Sequence, residues 1–232
     1  MKEIHTDVKD KELIETRRAQ MVEAAVELFA RKGFHKATTR EIAAESGFSI
    51  GTLYEYIESK EDVLYLVCSS IHEEMKNGLT LSIQKGKTGG EKLKEAIIGY
   101  IRVVDRLDDK VLLIYQETKS LPKDAMRIVL RTEEEIAGIF ARLLHEGVKD
   151  GSLSLAEEDI PLIAENIAVL GEMWAFRRWA LRNRFTLEEF IEKQLRFLGG
   201  IGGWSKEEGR EELGNHKRGE EDRNGREVSP KT

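Results

Sequence analysis

Between Gly33 and Asp62 the chain punctuates itself more densely than anywhere else. Thr38 reads as an N-cap, and Glu41 three residues on completes a capping box. Gly47 stops that helix and Ser49 opens another, with Phe48 and Leu53 at the two positions of a hydrophobic staple. Ser59 opens a third, with Asp62 at N3 and acidic residues in its first turn. Upstream, Gly33 is placed as the C′ residue of an earlier helix, with Phe34 supplying the apolar contact of a Schellman ending. Such spacing permits neither one long helix nor a strand. It demands short helices joined by tight turns.

The flanking sequence continues in helical period. Met21, Ala25, Leu28 and Phe29 lie on one face of a helix over residues 17–32. Ile42 and Ala43 give the next helix a small inward face, and Ile50, Leu53 and Ile57 form a buried stripe on the one after. Val63, Val67 and Ile71 carry the pattern to about Asn77. After the loop "GKTGG" (Gly86 to Gly90), helices are expected from near Glu91 to about Asp108, on to Leu121, and from Pro122 to about Lys149. The turn "DGSLSLAEED" precedes a cap-like Asp159, Pro161 and the most apolar helix, "IPLIAENIAVLGEMWAFRRWALRN"; Thr186 caps a last one. With three prolines, 34% charged residues and no strand-like alternation, the fold class is all-α. The expected domains are a charged flexible arm (1–14), a three-helix helix-turn-helix domain (15–62), a larger helical bundle (63–202) and a disordered charged tail (203–232). A single cysteine, Cys68, excludes an internal disulfide framework, and neither a signal peptide nor a membrane span is visible, which fits a cytoplasmic protein.

Two short helices joined by "SGFS" make a helix-turn-helix, whose second helix must enter a major groove. The residues between Thr39 and Lys60 suit that task. Gly51 lets backbone approach a phosphate or base edge, and Thr52 offers a hydroxyl and a methyl. Tyr54 and Tyr56 can aim phenols at phosphates, and Lys60 adds a cation. Thr39 and Arg40, at the start of the preceding helix, are placed for a phosphate, or Arg40 for a guanine. Ser49 completes the candidate DNA-binding set. Glu55 either accepts from a cytosine amino group or faces solvent. The net charge of -6 argues against a broad electrostatic binder, so affinity has to come from placed contacts.

The segment "AAVELFARKGFHKATTREIAAESGFSIGTLYEYIESKEDVL" resembles the N-terminal domain of the TetR family of bacterial transcriptional repressors. Gly33-Phe34, Thr38-Thr39, Ile42-Ala43, Gly47, Ser49, Gly51, Leu53-Tyr54, Tyr56 and Lys60 carry the likeness, over roughly a quarter of the chain. Ile57 departs from it, standing where the family commonly has Phe. The resemblance implies an Ω-like homodimer that binds a palindromic double-stranded DNA operator. It also implies a C-terminal domain that dimerises through its last two long helices and binds a small-molecule effector that releases the DNA. The alternative is a helical ligand-binding or adaptor protein that has kept the fold without operator binding.

The C-terminal half speaks less clearly. Trp174, Arg177, Arg178 and Trp179 could line a site for a hydrophobic acid or an acyl-coenzyme A thioester. They could equally pack a dimer bundle, with the arginines paired to acids such as Glu172 or Glu188. Gly171 in mid-helix points to a close approach at a dimer interface. Tyr115 and Glu117, with Gln116, could orient a ligand or satisfy one another. The five histidines form no HExxH or Glu-x-x-His pair, so no catalytic residue, metal site or cofactor is expected.

Overall fold

The computed structural model describes residues 4–6, 8–83 and 88–202; the charged tail expected at 203–232 and the first two residues of the "GKTGG" loop lie outside them. Ten α-helices follow in order among these residues: α1 (Lys11–Lys32), α2 (Thr39–Glu45), α3 (Ile50–Tyr54), α4 (Lys60–Ser82), α5 (Gly89–Arg106), α6 (Asp108–Glu117), α7 (Lys123–Asp150), α8 (Ile160–Phe176), α9 (Arg178–Leu181) and α10 (Leu187–Gly202). None is long and apolar enough to cross a membrane.

The punctuation of the N-terminal part is realised as hydrogen bonds. Thr38 and Ser59 both complete capping boxes, with Glu41 and Asp62 reaching back to the cap backbone. The Ser49 side chain accepts from the Thr52 N–H. Gly33 (φ 80°) and Gly47 (φ 74°) sit where an L side chain would be strained. At the second, the Phe48 N–H donates to the Ala43 carbonyl at 2.8 Å, a Schellman closure that turns the chain from α2 into α3. Phe34 packs edge-on to Phe29, their centroids 5.3 Å apart.

α4 leaves this head and runs unbroken into the body, so no helix end marks the junction expected at residues 62–63. The body is built of α4, α5, α7 and α8 packed on one another, with α6 bridging to α1 and α10 lying on α5. Leu53, Met75, Ala96, Val104, Phe140 and Ile160 are fully buried in one continuous core joining head and body.

Four expectations change. Residues 4–6 and 8–10 are not a free arm: Ile4 is buried and the Thr6 hydroxyl donates to the Glu55 carbonyl at 2.6 Å. Ile50 leaves the buried stripe and is 39% exposed, while Leu53 and Ile57 are buried. The long apolar segment breaks at Arg177, dividing α8 from α9. Finally, the close approach at Gly171 lies within the chain. A Cβ there would stand 2.5 Å from the ring of Tyr100 on α5.

Candidate DNA-reading site

α2 and α3 present one polar face. Thr39, the first residue of α2, and Tyr54, the last of α3, meet through their hydroxyls at 3.2 Å, bridging the two ends of the motif. Tyr54 is half exposed, and Arg40, which follows Thr39 in α2, is exposed. The Ser49 hydroxyl lies 2.9 Å from that of Thr52, so its capping role also orients the threonine. Gly51 is exposed between them. A Cβ added there would meet only the Ser49 hydroxyl, at 3.6 Å, an ordinary contact. The chain's own packing therefore does not require glycine at this position.

Two residues of the expected set do not belong to this face. Tyr56 is 4% exposed and packs in the core, so its ring does not project toward a phosphate. Lys60 turns inward. Its ammonium donates to the carbonyls of Phe34 (3.0 Å) and Ala37 (3.1 Å) and sits 4.3 Å from the Phe34 ring centroid. It ties the turn after α1 to the start of α4, because the last carbonyls of a helix and its turn need donors.

Sequence reasoning missed a second tie on the opposite side. The Arg18 guanidinium donates to the carbonyls of Tyr56 (3.0 Å) and Ile4 (2.9 Å), and its neighbour Arg17 lies 5.1 Å from the Phe48 ring. Those acceptors lie on irregular backbone before α1 and after α3, which no periodic pattern announces.

The acids around the face are largely engaged. Lys32 and the Thr38 cap hold the Glu41 carboxyl down at about 2, and Glu45 pairs with Arg31. Asp62 is buried, accepting from the N–H groups of Glu58 (3.1 Å) and Ser59 (2.9 Å). Glu55 remains exposed at the end of α3. A phosphate backbone approaching α2 and α3 thus meets hydroxyls, Arg40 and backbone more than unpaired carboxylate.

The candidate ligand residues do not converge. Trp174 is buried, donates to Asp105 at 2.7 Å and stacks on Phe190 at 4.9 Å. Arg178 pairs with Asp108 at 3.3 Å and with Asp109, not with Glu172 or Glu188. Arg177 lies over the Trp179 ring at 5.0 Å. Tyr115 is exposed against Phe176, 4.3 Å between centroids, whereas Glu117 faces Ser120 (3.2 Å) and His35 (4.0 Å) on the head. The buried polar pair of the body lies elsewhere: the Tyr100 hydroxyl donates to Glu172 at 3.0 Å. Burial first, then the nearby Glu133 charge, pushes the Glu172 carboxyl up to about 7.

Residues 21–65 match the model of the tetR family of bacterial regulatory proteins, and residues 86–179 match that of the tetracyclin repressor-like C-terminal domain. The two matches together span more than half of the chain. The chain belongs to the TetR family of helix-turn-helix transcriptional regulators. It is 29% identical to the HTH-type transcriptional regulator HbdR of Aromatoleum sp. (strain CIB), over 82% of each chain. Among solved structures, a tetR-family regulatory protein from Rhodococcus RHA1 superposes with a TM-score of 0.69 at 23% identity, covering 78% of this chain and 94% of that one. AibR, solved in complex with isovaleryl coenzyme A and operator DNA, superposes with a TM-score of 0.65 at 18% identity, over 77% and 96% of the two chains.

Proposed function

We propose that the protein is a dimeric repressor that reads a palindromic operator through Thr39, Arg40, Ser49, Gly51, Thr52 and Tyr54, and that a small molecule releases it. The observation carrying the reading is the exposed Gly51, for which the fold has no internal use, set among hydroxyls and one arginine on a single face. Tyr56 and Lys60 act behind that face, fixing the backbone that presents it.

Dimerisation is supported by apolar groups left uncovered on the late helices. Leu162 (67% exposed) and Val169 (56%) stand on α8, and Phe197 (57%) on α10. A two-fold contact would cover them and set the two reading faces roughly 34–36 Å apart, one turn of the duplex, or a multiple of it. An acyl-coenzyme A effector finds support in AibR, whose structure holds one. In this chain, however, Arg178 is occupied by Asp108 and Asp109, leaving Arg177 as the exposed cation of the cluster.

The test is operator selection from a random duplex pool, followed by fluorescence anisotropy at two salt concentrations. The reading expects a palindromic site whose affinity falls with salt, and a loss of about tenfold or more for Arg40→Ala. Selection that yields no preferred sequence, or Arg40→Ala and Thr52→Ala binding like wild type, would sink the assigned face.

A further inference from the structure

A groove of about 820 Å³ is walled by α1, α4, α6 and α7, with no lining residue from α2 or α3. Its volume falls in the range of small-molecule sites. Half-buried apolar side chains form its floor: Val22 and Val26 from α1, Leu66 from α4 and Ile128 from α7. Spacings of three and four on α1, continued by Ala19 and Glu23, turn one whole helical face into this wall.

The rim is acidic. Glu23 and Glu27 on α1 and Glu73 on α4 are exposed around the apolar floor, and no ion pair reaches any of the three among the described residues. Lys76, one turn along α4 from Glu73, makes its direct ion pair with Glu135 at 2.6 Å and feels the Glu73 charge only at longer range. The fourth rim carboxylate, Glu74, is already matched by Arg106 and Lys110, both at 3.6 Å. Lys110, the one basic residue lining the groove, is thereby offset. An anionic amphiphile entering here would face three carboxylates that no direct ion pair neutralises. A flexible apolar cation would place its hydrocarbon on the floor and its charge at the rim.

We propose that this groove is a binding site for amphipathic organic cations, separate from the Tyr100–Glu172 pair inside the bundle. The occupant is identified by charge and shape alone: an apolar body of a few rings or a comparable alkyl volume, bearing one delocalised or quaternary positive charge.

The experiment is isothermal titration of the full chain, without DNA, with two probes of the same shape and opposite charge, tetraphenylphosphonium and tetraphenylborate. Wild type is expected to bind the phosphonium at one site per chain, with the borate at least about tenfold weaker. Glu23→Gln/Glu27→Gln/Glu73→Gln, three exposed and nearly isosteric changes, is expected to weaken phosphonium binding about tenfold. Ser70→Trp, which fills the groove from an exposed position, should abolish it, and Glu172→Gln should leave it unchanged. Equal or tighter binding of the borate overturns the proposal. So does wild-type affinity in the triple variant, or a loss that appears only with Glu172→Gln. Because no DNA is present, failure here leaves operator reading untouched, and failure to find an operator leaves this result standing.

Discussion

Helix starts are held differently in the head and around α6, α8 and α9 of the body, although α5 and α10 in the body also open on local caps at Thr88 and Thr186. From Thr38 to Asp62 each start is capped by a residue at the start itself: Thr38 with Glu41, Ser49 with Thr52, Ser59 with Asp62. Around α6, α8 and α9 no side chain caps a start, and the ends are tied by groups distant in sequence. Arg178 reaches Asp108 and Asp109, Arg182 reaches Asp105 (3.1 Å) and Asp108 (2.9 Å), and Trp174 reaches Asp105. The head can therefore hold a fixed face with little help from its surroundings. In the body, α8 and α9 keep their arrangement only while α5 and α6 stay beside them, which suits the part of a regulator that has to change shape.

The most damaging test of that contrast is in the body. Gly171→Val should destabilise the protein by about 3 kcal/mol, because the Tyr100 ring it would strike is fully buried beside Phe140, 5.4 Å between centroids, and cannot swing aside. Chemical denaturation measures it, and a change within about 0.5 kcal/mol would mean the body repacks freely.

Next comes Glu172. Its folded pKa, near 7, stands above the ordinary carboxylate value because burial, then Glu133 and to a lesser degree Glu165, disfavour the charge, with the Tyr100 hydroxyl opposing them. An unfolded chain releases this proton near the ordinary value of 4.5, the folded chain only near 7. This group's contribution is thus most favourable at low pH and declines as pH rises from about 4.5 to 7. Glu172→Gln should stabilise the protein at pH 8 by on the order of 2 kcal/mol and flatten that part of the pH profile. An unchanged slope between pH 5 and 7 would contradict the assignment.

Smaller effects are expected in the head. Lys60→Met should cost about 1–2 kcal/mol by leaving the Phe34 and Ala37 carbonyls without their donor. If Lys60 instead served only phosphate, melting without DNA would be unaffected. Thr38→Ala, a local cap, should cost about 1 kcal/mol. Tyr54→Phe should leave stability nearly unchanged and weaken operator binding by a factor of about 3–10, since its hydroxyl is half exposed and its one partner is Thr39.

The same contrast explains what could be read from the sequence. Caps, glycine stops and the staple act within a few residues, so the starts of α2 and α3 were legible to the residue, as were the buried Leu53 and Ile57, while the end of α3 at Tyr54 was not. Tyr56 misled because a tyrosine two places after Tyr54 looks like a second surface phenol. The helix ends at Tyr54, and the turn that follows sends the ring inward. Lys60 misled because its acceptors lie more than twenty residues upstream. In the body, helical period revealed most of the elements and missed the break at Arg177, which no proline or glycine marks. Trp174, Arg177 and Arg178 are adjacent in sequence and yet serve separate partners, because which acid each meets depends on where α5 and α6 are packed.

The central claim is that two copies of the α2–α3 face read one duplex together. Hydroxyl-radical footprinting of the full chain on its selected operator tests it most directly. The account predicts two protected patches on one side of the duplex, their centres about one helical turn or a multiple apart, both weakened together by Arg40→Ala. A single protected patch, or protection without sequence preference that Arg40→Ala leaves intact, would contradict it.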